Sequence, residues 1–201
     1  MVFLFWLRYR KYFVVEIIKI NMKEMKIILL IMAIILSSNS CEKGALADES
    51  LTLKKVPYSS NQLRIDGYYY LFDNSNTLIA TYFLYYNGIL LYGGGRPLPQ
   101  GLNEIEEKIF TSQQWLEIIP EQRLKWGVFQ IKGNEISFEK WYPSSGGPAP
   151  VYIRSGEILN DTTFVITQSI RSKTGEAKKL NEVYHFKEFA PKPDSTNNFV
   201  K

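Results

Sequence analysis

Residues 64–94 read RIDGYYYLFDNSNTLIATYFLYYNGILLYGG, and the expected fold follows from this stretch. Three runs rich in Tyr, Phe, Ile and Leu, at 64–72, 77–86 and 89–94, are separated by turn residues, as consecutive antiparallel strands are. Asn87-Gly88 joins the second run to the third, where a two-residue hairpin needs positive φ to match the twist of its strands. Both faces of the second run are apolar. Leu78, Tyr82, Leu84 and Tyr86 alternate with Ile79, Phe83 and Tyr85, so this strand is expected to be covered on both sides.

The pattern continues through LKWGVFQI (124–131), EISFEKWY (135–142), PVYIRS (150–155), GEIL (156–159), TTFVITQSI (162–170) and LNEVYHFKEF (180–189). Gly133-Asn134 predicts a second tight hairpin, Asn160-Asp161 a third, and Lys173 to Ala177 a looser connection. One segment departs from this rhythm: NEIEEKIFTSQQWLEIIPEQ, residues 103–122. It predicts a short helix capped by Asn103, with Glu104, Glu106 and Glu107 in the first turn, where the helix dipole favours acids. Ile105, Ile109, Trp115, Ile118 and Ile119 form its expected packing face, and Pro120 its stop. Sequential strands with one short helical excursion make the expected fold mostly β, an antiparallel up-and-down β-barrel over residues 64–189. The alternative, a β-sandwich, needs long crossover connections.

The formal charge of +4 invites a nucleic-acid reading that its distribution excludes. Six bases and two acids lie within residues 1–41, which leaves 18 bases against 18 acids for the rest. No basic stripe is available to displace counterions from a phosphate backbone, so no nucleic-acid partner is expected. With one cysteine, Cys41, and one histidine, His185, neither a disulfide nor a multi-histidine metal site is available, and no cofactor is implied.

Between Met25 and Cys41 the order is Met25, Lys26, the apolar run IILLIMAIIL (27–36), the small polar stretch SSNS, then Cys41. The apolar run is shorter than the ~20 residues of a spanning helix, and the order reads as a signal peptide over 25–40. It resembles the lipobox of bacterial lipoproteins, with Ser40 as the small residue before the cysteine, although Ser38 stands where that family usually has Leu. The resemblance implies a lipidated Cys41, anchorage to a membrane, and a place in the cell envelope, on the periplasmic or the surface face. Residues 1–24 are expected to be untranslated or an extended N-terminal segment, with Met1, Met22 and Met25 as candidate starts. Residues 41–63 are polar enough to be a flexible tether, and 190–201, with prolines and no periodicity, a disordered tail.

Asp66-Gly67-Tyr68-Tyr69, which opens the first strand of the meander, resembles the Gly-x-Trp start of lipocalins, with Tyr69 in place of Trp. The resemblance implies a lipocalin-like barrel and a small apolar or amphiphilic ligand. After Cys41 the chain carries 11 Tyr, 9 Phe and 3 Trp, and Tyr68, Tyr70, Tyr82, Tyr86, Trp126 and Trp141 are the candidate lining of a cavity, or alternatively plain core. An eight-stranded barrel is either packed solid or wide enough for one small ligand. The loops GGGRPLPQG (93–101) and PSSGGPAP (143–150) are expected to frame one barrel end. No nucleophile elbow is present, and the carboxylates Asp66, Glu139, Glu157 and Asp161 form no recognisable catalytic pair, so no enzyme is expected. The other functional class is an interaction module, an accessory subunit or inhibitor that presents its loops to another envelope protein.

Overall fold

The computed structural model describes residues 48–95 and 101–201. Eight strands, β1 (Gly67–Phe72), β2 (Leu78–Leu84), β3 (Ile89–Gly94), β4 (Trp126–Lys132), β5 (Glu135–Trp141), β6 (Val151–Asn160), β7 (Thr163–Arg171) and β8 (Ala177–Glu188), pair in sequence order. β8 returns to β1, with Gly67 opposite Glu188 and Tyr70 opposite His185, which closes the barrel and rules out the sandwich. The runs expected at 150–155 and 156–159 merge into β6. Register shifts at Ser155/Gly156 and Ile158/Asn160 let this long strand coil with its neighbour β7 rather than break. Gly88 (φ 81°) and Gly133 (φ 58°) hold the two hairpin turns in the left-handed region.

Alternation sorts the apolar side chains into two clusters. Tyr69, Tyr82, Leu84, Leu90, Phe129, Ile136, Phe138, Phe164, Ile166 and Tyr184 point inwards and fill the barrel. Tyr68, Phe83, Leu91, Trp126 and Val128 point outwards from β1–β4, and are buried all the same. The excursion between β3 and β4 covers them, as the two apolar faces of β2 require.

That excursion is not the single Asn103-capped helix expected. A helix at Leu102–Ile105, preceded by Gly101, passes into a π-helical turn at Glu106–Phe110, and a second helix, Gln113–Ile118, begins after Ser112. Thr111 Oγ1 donates to the carbonyls of Glu106 and Glu107, while Ser112 Oγ accepts from the Trp115 amide. Such local side-chain bonds stop one helix and cap the next. The wider turn changes the packing phase, so that Ile105, Phe110 and Trp115, five residues apart, face the barrel, while Ile118 is exposed.

Both terminal segments, expected to be mobile, lie on the barrel where they are described. Glu139, fully buried on the outer face of β5, accepts from the amides of Thr52 (2.7 Å) and Leu53 (2.6 Å) and from the hydroxyls of Thr52 (3.0 Å) and Ser172 (2.6 Å). The segment then descends to the end formed by the β2–β3, β4–β5 and β6–β7 turns, here called the lower end. There the Tyr58 amide donates to Tyr86 O, Gln62 Nε2 to Gly133 O and the Arg64 amide to Asp161 O. Tyr58, Leu63 and Ile65 join the inner cluster and plug this end. At the other terminus Lys192 Nζ donates to the carbonyls of Ile65 and Leu84, and Phe189, Phe199 and Val200 pack into the outer cluster.

Candidate functional site

The strands that run upwards from the plugged end carry the interior from apolar to charged. Across the inner face Tyr69 pairs with Tyr82, Phe129 with Phe138 and Phe164 with Tyr184, and Tyr82 lies 5.0 Å from Phe138 and 5.7 Å from Tyr184 between ring centroids. On β5 the inward phase runs past Phe138 to Lys140, and on β6 it carries Arg154, paired with Phe138, and then Tyr152, paired with Lys140. Inward alternation places both cations inside the barrel, where a charge loses its hydration.

Aromatic rings take up part of that cost. Lys140, 3 % exposed, sits 3.8 Å from the Tyr142 ring centroid and 5.0 Å from that of Tyr92, and its Nζ donates to Trp141 O (2.8 Å). Lys125, on the turn that leads into β4, lies 4.8 Å from Tyr92, and Arg154 lies 5.2 Å from Tyr142. Glu182 on β8 is the carboxylate partner of Arg154. It accepts from Arg154 Nη1 (2.6 Å) and the Tyr184 hydroxyl (2.9 Å).

The electrostatics follow from three cations that share two tyrosine rings, of which Arg154 has a carboxylate partner in Glu182. Burial, then repulsion from Arg154 and Lys125, pushes the Lys140 ammonium down to about 7. Burial lowers Lys125 as well. Burial raises Tyr142 to about 12 and lifts Tyr82 and Tyr184 well above the ordinary phenol, so these tyrosines remain neutral donors. Burial opposes the Arg154 charge, but the surrounding phenols and Glu182 outweigh it and hold the guanidinium protonated. Arg154 Nε and the Tyr142 hydroxyl are buried with no hydrogen-bond partner; Tyr142 Oη has the Tyr82 hydroxyl as a neighbour, outside bonding geometry. Both sit beside side chains that reach solvent, since those of Arg154 and Glu182 are 20 % and 21 % exposed. The arrangement is a cationic, aromatic mouth with spare donors, at the end opposite the plug.

Of the residues singled out as a cavity lining, Tyr82 alone points into the barrel. Tyr68 lies on the outer face, its hydroxyl donating to Glu106 (2.6 Å), and Tyr70 is half-buried beside it. Trp126 Nε1 donates to Ile119 O under the excursion, Trp141 Nε1 to Glu49 O, and Tyr86 is 71 % exposed in the lower β2–β3 turn. Four of these six thus hold the outer layer together. Among the carboxylates, Glu139 secures the N-terminal segment, Asp66 pairs with Arg64, Glu157 faces Glu135 across β5 and β6, and the Asp161 carbonyl accepts from Tyr69. His185 lies on β8 with its ring 5.9 Å from Tyr70. Cys41, the segments 1–24 and 25–40, and Arg96 within the 93–101 loop lie outside the described residues.

Lys140, Arg154, Tyr92, Tyr142, Lys125 and Glu182 were not singled out by sequence. The available signal was phase: Lys140 and Arg154 occupy the inward position of strands whose other inward residues are apolar. Among the described residues no group of three or more His, Cys, Asp or Glu is placed to hold a metal ion, and no helix is long and apolar enough to cross a membrane. Comparison with protein families, with curated proteins and with solved structures finds no match.

Proposed function

We propose that this chain is a lipid-anchored cell-envelope lipoprotein whose lipocalin-like barrel binds a small amphiphilic ligand at its upper mouth. The observation that carries the binding reading is the change of chemistry along the barrel axis. One end is plugged and filled with rings, and the other ends in Lys140, Arg154 and Tyr142 with donors to spare. Buried cations that rings, one backbone carbonyl and one carboxylate compensate are costly to the fold, and such cost concentrates at functional sites.

The test is intact mass and N-terminal analysis of the full chain extracted from bacterial membranes, with native mass spectrometry for co-purifying small molecules. Acyl chains on an N-terminal Cys41 and a bound small molecule are the expected result. An unprocessed N-terminus overturns the anchor. A processed, ligand-free protein that also takes up no added amphiphile overturns the binding reading and favours the interaction module.

A further inference from the structure

We infer that the mouth selects an oxyanion, a carboxylate or phosphate monoester carried on an apolar or aromatic body, with Lys140 and Arg154 as the groups that bind it; the inference rests on the ligand-binding reading above. The charge inventory supports an anion over a neutral amphiphile. Lys125, Lys140 and Arg154 converge from three elements on the rings of Tyr92 and Tyr142, and Glu182 engages Arg154 and Tyr184. An added anion supplies the missing negative charge where a neutral head group leaves the cations uncompensated.

The donors are also of the type an oxyanion uses. Lys140 Nζ spends one of its three hydrogens on Trp141 O, and Arg154 spends Nη1 on Glu182 while Nε remains unpaired. The Tyr142 hydroxyl, neutral and buried, adds a third donor. Charge-assisted bonds of this kind are short and strong, and a guanidinium edge adds directional recognition of paired oxygens.

The experiment uses the full chain in nanodiscs of zwitterionic lipid and compares phenylacetate and phenyl phosphate with the isosteric neutral phenylacetamide by calorimetric titration. The anions are expected to bind at least about tenfold tighter than the amide. That preference should vanish in both Lys140→Gln and Arg154→Gln while weak amide binding persists. The Lys140→Met variant, which leaves the apolar stem in place, guards against a loss caused by misfolding. Equal binding of anion and amide overturns the oxyanion assignment and leaves the ligand-binding reading standing, whereas binding of neither overturns both. Repeating the titration in nanodiscs that contain anionic lipid assigns the source. Competition identifies a bilayer-borne head group and undiminished affinity a free small molecule, and both outcomes support the oxyanion class.

Discussion

Removal of the Lys140 charge should stabilise the fold, with a gain set by pH. The free lysine value of 10.5 falls to about 7 in the folded protein. At about 1.4 kcal/mol for each tenfold change in proton affinity, burying the charged form costs about 5 kcal/mol. Below about pH 7 both folded and unfolded chains carry the proton, and the folded state bears the whole cost. Between about 7 and 10.5 the unfolded chain binds more protons than the folded one, so stability rises with pH, and above that range the penalty is gone. Lys140→Met keeps the stem volume and removes the charge, but it also removes the ring contacts and the bond to Trp141 O, worth about 2 kcal/mol together. The variant should therefore be about 3 kcal/mol more stable than the parent at about pH 6, and no more stable or slightly less so at about pH 10. Urea denaturation of the full chain in mild detergent, followed by tryptophan fluorescence at both pH values with an unchanged m, measures this. A gain that is the same at both values, or a loss at the lower one, refutes the claim that Lys140 is a charge held against the interests of the fold.

Two further outcomes test how the barrel is dressed. Glu139→Ala removes an acceptor for four donors, which should cost about 3 kcal/mol and release the N-terminal segment; hydrogen exchange should show Thr52 and Leu53 losing amide protection while the strand amides keep theirs. Gly93→Val should destabilise by about 2 kcal/mol or more, because a Cβ at Gly93 would lie 2.7 Å from the Phe110 ring and from Thr81 Oγ1; a melting temperature within a degree or so of the parent would refute tight packing of the excursion on β3.

The sequence by itself determined the strands and their order in an antiparallel meander, whereas the pairing of β8 with β1 that excludes the sandwich is a tertiary contact. These depend on period-two patterning and on turn chemistry at Asn87-Gly88 and Gly133-Asn134, which neighbouring residues encode locally. It also required a cover for the outer face of β2, although it misjudged the form of that cover, because the stop at Thr111 and the cap at Ser112 act through side-chain bonds that apolar spacing does not register. Tertiary structure alone decided which aromatic residues line the barrel. Tyr68 and Tyr69 are adjacent and chemically identical, and only register and strand twist send one out to Glu106 and the other in to the carbonyls of Arg64 and Asp161. It alone decided that the polar stretch 48–65 is strap and plug rather than tether, since the partners of Thr52 and Leu53 lie 86 or 87 residues away on Glu139. The mouth belongs to the same class. Its cations come from β5, β6 and the turn before β4, each an ordinary surface residue in sequence. Closure of the barrel turns them into a site, because it brings like charges together in a place that water only partly reaches.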